Sequence, residues 1–203
     1  MDKQSIRKFS SLLKKSPRIK AEKMNEALAL VKENSDSYAR ALRLLGDIKL
    51  DETKPVAFDG FIYEPCRSIV AVGEDGKLYG NEMVSVVFLF GLRQLFIYEK
   101  RVCLTGSYEK ERLSDFDYND IAGLEIEREI LPYERQKKVK KKQKNQLKTV
   151  ETVVQNVGVV VPVTKLTVRS VAGEKVVPLP GDADTEEFMR TLRAAVRVKK
   201  SEL

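Results

Sequence analysis

The chain has no histidine and only two cysteines, Cys66 and Cys103. These shortages remove zinc sites built from Cys and His, Ser-His and Cys-His nucleophile pairs, and histidine acid-base catalysis. Long apolar runs are missing too. The longest, Met83 to Phe90, is interrupted by Ser85 and followed by Gly91 and Arg93, well short of the ~20 residues a spanning helix needs. The opening MDKQSIRKFSSLLKK has no apolar stretch before a small-residue cleavage site, so the expectation is a cytoplasmic protein, with peripheral membrane contact left open. In that setting the two cysteines are expected as buried thiols, not as a disulfide.

Reactive constellations are equally scarce. There is no Gly-rich phosphate loop, no H-E-x-x-H and no G-x-S-x-G. Asp115, Asp117 and Asp120 stand close together but lack the ligand spacing, central glycine and distal glutamate of a calcium loop. Stabilising a turn through side-chain to backbone hydrogen bonds is the simpler role for Asp115 or Asp117. No catalytic residue, metal or cofactor is expected, and the protein is not expected to be an enzyme.

What remains is material for a core and a very uneven charge. The 203 residues are 42% hydrophobic, enough to bury a real core in one or two domains. The net charge of +7 is concentrated in two places. Met1 to Leu50 has 12 basic and 6 acidic residues, whereas Asp51 to Ile130 has 9 and 16. Leu131 to Val150 has 8 basic residues against the single Glu134.

Residues 1–50 read as a small helical module. Ile6, Phe9, Leu12 and Leu13 recur at helical spacing among Lys3, Arg7, Lys8, Lys14 and Lys15. That basic amphipathic helix is either an interfacial membrane anchor or a core helix wetting its basic face. Ser16-Pro17 predicts the start of a second helix lined by Met24, Ala27, Leu28 and Val31, ending near Asn34. Ser35 or Asp36 caps a third, with Tyr38, Leu42 and Leu45 on one side and Gly46 at its end. Asp47 to Pro55 is polar and makes a linker.

From Val56 the period changes to that of strands. Ile69 to Val72 and Lys77 to Tyr79 flank Glu74-Asp75-Gly76, a hairpin signal. Met83 to Phe90 is apolar almost throughout, as a strand covered on both faces should be, by the sheet interior and by the N-terminal helices. Leu95 to Tyr98 and Val102 to Thr105 read as two short strands around a turn at Glu99-Lys100-Arg101. Ser114 to Asp120 reads as a second turn, and Leu124 to Glu127 as a strand with one buried face.

Between Pro132 and Thr149 lies RQKKVKKKQKNQLK, in which Arg135, Lys137, Lys138, Lys140, Lys141, Lys142 and Lys144 carry no acidic residue among them. A helical stripe through Val139, Leu147, Val150 and Val154 competes with the β-branched run Thr149 to Val163, and the latter predicts a long hairpin. Gly158 and Pro162 predict a bulge or an edge in its return strand. Leu166 to Val171 and Lys175 to Leu179 pair across Ala172-Gly173. Asp184 with Glu187 opens a closing helix whose apolar face is Phe188, Leu192, Ala195 and Val196. Arg197, Lys199 and Lys200 suit its C-terminal dipole.

In their order, Tyr98 to Arg101, Tyr118 to Ile121, Leu166 to Arg169, Ala172 to Glu174 and the helix after Asp184 resemble the bacterial pleckstrin-homology-like (PH-like) domains. The resemblance covers residues 55–198. It implies an α+β fold, a strongly bent antiparallel sheet or barrel whose open mouth is plugged by the C-terminal helix, with the basic hairpin as an insertion at about 131–150. It also implies binding of phosphoinositides, other lipids or proteins. Acidic Glu74 and Asp75 stand where a basic strand-loop-strand motif would mark an inositide pocket, so no such pocket is expected.

The basic hairpin admits two readings, a solvated tip or a polyanion contact. On the second, the protein is a scaffold that meets an anionic membrane or an acidic protein through Arg135 to Lys144, with Arg7 and Lys8 of the first helix adding charge. The alternative is a nucleic-acid-associated protein that touches phosphates without reading sequence, Tyr133 being the one aromatic near the run. Homo-oligomerisation through helices or sheet edges is a further route to partners.

Overall fold

Apolar side chains on both faces of one strand set the architecture. The computed structural model describes residues 11, 13, 18–19, 22, 36–64, 68–105, 108–141, 149–181 and 183–202, with the backbone alone at 134–141, 149–158 and 202. In chain order its elements are β1 (Arg18–Ile19), α1 (Ser37–Leu45), β2 (Val56–Ile62), β3 (Val70–Gly73), β4 (Leu78–Gly80), β5 (Glu82–Phe90), β6 (Gln94–Cys103), β7 (Glu109–Asp117), β8 (Ile121–Lys141), β9 (Thr149–Ser170), β10 (Gly173–Leu179) and α2 (Thr185–Glu202). The fold is α+β. One antiparallel sheet has the order β2-β5-β6-β7, a second β10-β9-β8, and the β3–β4 hairpin takes β1 as a parallel third strand.

β5 is buried along its whole length, as expected of a strand covered on both faces. Val84, Val86, Phe88 and Phe90 point into the main core with Leu95 and Ile97 of β6, Leu166 and Val168 of β9, and Val177 and Leu179 of β10. Phe188 and Leu192 of α2 close that core, and the Phe188 ring lies 4.6 Å from Phe88 and 5.0 Å from Phe58. The alternate residues Val87 and Leu89 face the other way, with Phe96 and Tyr98 of β6, and are covered by Ala41 and Leu45 of α1. Each such side chain, fully buried, contributes roughly 1.5–3 kcal/mol. The period of two thus turns one apolar strand into the wall between two cores.

Several expectations hold in detail. The β3–β4 hairpin turns through Gly76 at φ +78°, and the Asp75 carboxylate accepts hydrogen bonds from the Lys77 amide and the Tyr79 hydroxyl. The Asp184 carboxylate accepts from the Glu186 amide at the start of α2. Leu13 is buried against Ala71, Tyr79, Met83 and Leu104, so at that position the first N-terminal segment is core. The polar interval before β2 is fastened: Asp51 N donates to Phe90 O at 2.7 Å, and its carboxylate lies 3.1 Å from Lys199 Nζ.

Others are corrected. Glu99, Lys100 and Arg101 are not a turn but the middle of β6, a single strand paired on both sides by β5 and β7. Their charges are matched within the sheets, which removes the reason to leave them. Arg101 Nε donates to buried Glu99, Lys175 Nζ stands 3.7 Å from Glu99, and Lys100 Nζ is 2.6 Å from Glu109. Ser114 to Asp117 likewise pair with β6, and the turn is only Tyr118 to Asp120, where Asp117 accepts from the Asn119 amide.

Arg18 and β-branched Ile19, expected in a second helix, are instead extended and pair with Val72 and Gly73; Glu22 beyond them is helical, and the rest of that expected helix, to Asn34, lies outside the described residues. In α1, capped by Asp36 and ended by Gly46, the buried face is Ser37, Ala41 and Leu45, while Tyr38 is turned out. Small Ala41 lets the helix sit close on the sheet. The two main sheets are not closed into a barrel. They meet at a corner where Gly181 N donates to Phe61 O, and a Cβ on Gly181 would stand 2.6 Å from Pro162 Cγ.

Candidate functional site

The densest charge in the sequence lies on the longest pair of strands. β8 and β9 run antiparallel from Ile121 against Ser170 out to Lys141 against Thr149. Near the middle the register shifts between Pro132 and Glu134, setting Tyr133 in a bulge opposite a stretch that contains Gly158. β10 pairs with β9 only as far as Thr164, so Pro162 stands where β9 has a single neighbour. Both the bulge and the loss of a neighbour answer the expectation for Gly158 and Pro162.

Tyr133 fixes the base of the outer part. Its ring is buried with Tyr63, Val70, Val161 and Val163, and its hydroxyl accepts a hydrogen bond from the buried Val70 amide at 3.1 Å. The sole aromatic near the basic run is therefore an anchor to the β3–β4 hairpin, and is withdrawn from any stacking surface. Sequence reasoning missed that role. Its signal was a large β-forming side chain between Pro132 and the charges, on a strand whose apolar return, Val159 to Val163, needs cover.

Beyond the anchor, Glu134–Lys141 pair with Thr149–Asn156, an arm of about 27 Å at ~3.4 Å per residue. Arg135, Lys137, Lys138, Lys140 and Lys141 all lie on it, paired with Gln155, Val153, Thr152, Val150 and Thr149. No carboxylate residue is the register partner of any of the five. Lys142 and Lys144 lie outside the described residues, as do Arg7, Lys8, Met24, Ala27, Leu28, Val31 and Cys66. Cys103 is a buried thiol near Thr105 Oγ1, 3.7 Å away.

Comparison with protein-family models, curated proteins and solved structures finds no match. The chemistry rests on this geometry alone. The inner half of β8 carries Glu125, Glu127 and Glu129, of which Glu125 is 2.7 Å from Arg169 and Glu127 3.8 Å from Lys165. These exposed pairs are worth little each. The strand pair thus changes from an inner part with cross-strand ion pairs to an outer part in which basic residues outnumber the two carboxylates, Glu134 and Glu151. Among the described residues no cluster of His, Cys, Asp or Glu is arranged to hold a metal ion, and no helix is long and apolar enough to cross a membrane. An arm of this kind can neutralise a polyanion.

Proposed function

We propose that the chain is a non-catalytic binding or scaffold module, a PH-like platform that presents its basic hairpin to an anionic surface, either phospholipid headgroups or an acidic protein face. The observation that carries this reading is the paired arm beyond Tyr133, with five cations on one strand and no acidic register partner opposite any of them. Pairing reduces the entropy lost when such a run meets its target. Lys142, Lys144, Arg7 and Lys8 join the proposal by charge alone.

The PH-like part is supported by element order. A four-stranded antiparallel sheet is followed by a three-stranded one and a closing helix, with the β3–β4 hairpin inserted after the first strand. A dedicated inositide pocket is no part of the reading, since Asp75 at the first hairpin is engaged by its own turn.

The test is sedimentation with phosphatidylcholine vesicles, with and without phosphatidylserine, beside a duplex-DNA shift. We expect binding to the anionic vesicles that survives added DNA at physiological salt, each basic residue contributing roughly 1 kcal/mol near the surface. Exchanging Lys137, Lys138, Lys140, Lys141 and Lys142 for Gln abolishes it. Displacement by DNA, with a log-affinity against log-salt slope of about −4 to −5, selects the nucleic-acid reading instead. A five-Gln variant that binds both targets like the parent reduces the arm to a solvated hairpin.

A further inference from the structure

A second polar surface lies on the body, apart from the arm. A groove of about 600 Å³ runs between α2 and β8, lined by half-buried Ile126 and buried Met189 and by the exposed residues Arg190, Arg193, Ala194 and Arg197. No described residue forms an ion pair with any of these three exposed arginines, nor with exposed Arg128 on β8. Uncompensated arginines beside apolar residues suit a planar anion such as a carboxylate.

One wall of the groove is an open sheet edge. β8 is the outer strand of the order β10-β9-β8. Its Leu124 carbonyl is turned outward, accepting from Arg193 Nη2 at 3.4 Å, and Ile121 O accepts from Lys200 Nζ at 2.5 Å. The ladder is regular from Gly123 to Pro132. With a period of two, the backbone groups of Ile126, Arg128 and Ile130 face the same open side as those of Leu124. No described backbone group bonds to them across that edge.

We propose that this edge receives an extended acidic peptide segment of a partner protein, added to β8 as a further strand, with its carboxylates held by Arg190, Arg193 and Arg197. Strand addition to an edge obtains affinity from main-chain hydrogen bonds and specificity from alternate side chains. The alternation is dictated here. Leu124 and Ile126 face α2 and the core, whereas Glu125, Glu127 and Glu129 face away. A bound strand therefore carries acids on the α2 side and none on the other, where they would meet the three glutamates. The three arginines span about 10.5 Å at ~1.5 Å per residue, and same-face side chains of a strand recur every ~6.8 Å. Two or three alternate carboxylates fill the rim. Glu186 closes the basic stretch towards the start of α2.

The probe is a capped peptide of about nine residues, matching Gly123–Leu131 at ~3.4 Å each, in which Glu and Thr alternate. Binding is read by fluorescence anisotropy and by hydrogen exchange on the full chain. The Ile126 and Arg128 amides should gain protection. A peptide N-methylated at every second amide, made in both phases, should lose binding in one of them, because that phase blocks the bonds to β8. The R190A/R193A/R197A variant should bind roughly tenfold more weakly or worse. R190A/R197A, which keeps the Arg193 bond to Leu124, should show most of that loss with an unchanged melting temperature.

Absence of binding, equal binding of both N-methyl phases, of a Lys-Thr peptide, or by the arginine variants, or unprotected Ile126 and Arg128 amides would each overturn the proposal. So would loss of the peptide on the five-Gln exchange in the arm. That variant separates the two sites: if the arm reading fails, the groove still takes the peptide, and if the groove fails, vesicle binding by the arm persists.

Discussion

Two buried tyrosines show how one chemical group has opposite consequences at different places. The Tyr133 hydroxyl accepts from the Val70 amide, so Tyr133→Phe strands a buried N–H and should cost about 1–3 kcal/mol. The Tyr118 hydroxyl is fully buried with no hydrogen-bond partner among the described residues. Tyr118→Phe should leave stability unchanged or raise it by up to ~1 kcal/mol, since an unpaired polar group is removed from the core. Urea denaturation midpoints of the two variants, moving in different directions, are the measurement. A falling midpoint for Tyr118→Phe would mean that its hydroxyl is satisfied in solution. The same burial sets an alkaline limit. Burial first, and Glu111 next, push the Tyr98 phenol up to about 12 from 10.0, and burial raises Tyr118 as well. These groups stay protonated in the fold at a pH where the unfolded chain releases its protons. Their stabilisation is complete below pH 10, the unfolded value, and for Tyr98 it is lost as pH rises through about 12. The slope is roughly 1.4 kcal/mol per pH unit for each group. Stability measured at steps above pH 10 should fall, and a Tyr98→Phe variant should fall less steeply.

Among the elements, α2 has the clearest role. Phe188 touches Phe58 and Phe88, and Leu192 is fully buried beside them. Exchanging both for Ala should unfold the protein, because each change costs roughly 2–5 kcal/mol against a total of about 5–15. An unchanged melting temperature would show that the helix contributes nothing to the core. This helix was legible from Asp184 and its apolar stripe because local capping and periodicity agree with the tertiary need. The β3–β4 and β9–β10 hairpins were legible for the same reason. The failures occur where the two disagree. Glu99-Lys100-Arg101 has turn-like polarity but is held extended by Glu109, Glu64 and Lys175, partners distant in sequence. Arg18–Ile19 follows a helix-opening Ser-Pro yet pairs with an edge formed far along the chain. The buried face of α1 lies one position off its apolar stripe, since Ala41 decides how closely the helix can approach. At the candidate site, the arm was legible from β-branched residues facing lysines. The anchoring bond from Val70 to Tyr133 was not, because nothing local connects the two.

Over the whole molecule, charge is separated by place. The inner strand pair has cross-strand ion pairs, the rim of α2 carries arginines with no ion-pair partner among the described residues, and the arm carries a large excess of cations over Glu134 and Glu151. Self-repulsion along the arm predicts that the five-Gln variant folds as well as the parent and gains slightly in stability at low salt. That gain should shrink as salt screens the arm, over a Debye length of about 10 Å at 0.1 M. Thermal melts at two ionic strengths test it, and a destabilised variant would mean that the lysines contribute to the fold.

The closing of the core by α2 also has a meaning in time. Phe58 is synthesised early and Phe188 late, yet the two rings share one cluster, and Lys199 reaches back to Asp51 just ahead of β2. At roughly 5–20 residues per second, the apolar inner face of β2 and β5 waits on the order of ten seconds on the ribosome for its cover. During that interval the nascent chain exposes Phe58, Phe88 and Phe90 to every other chain nearby. The hazard in making this protein is therefore concentrated before α2 emerges, and a chaperone that shields apolar strands for those seconds should raise its yield more than any change that stabilises the finished fold.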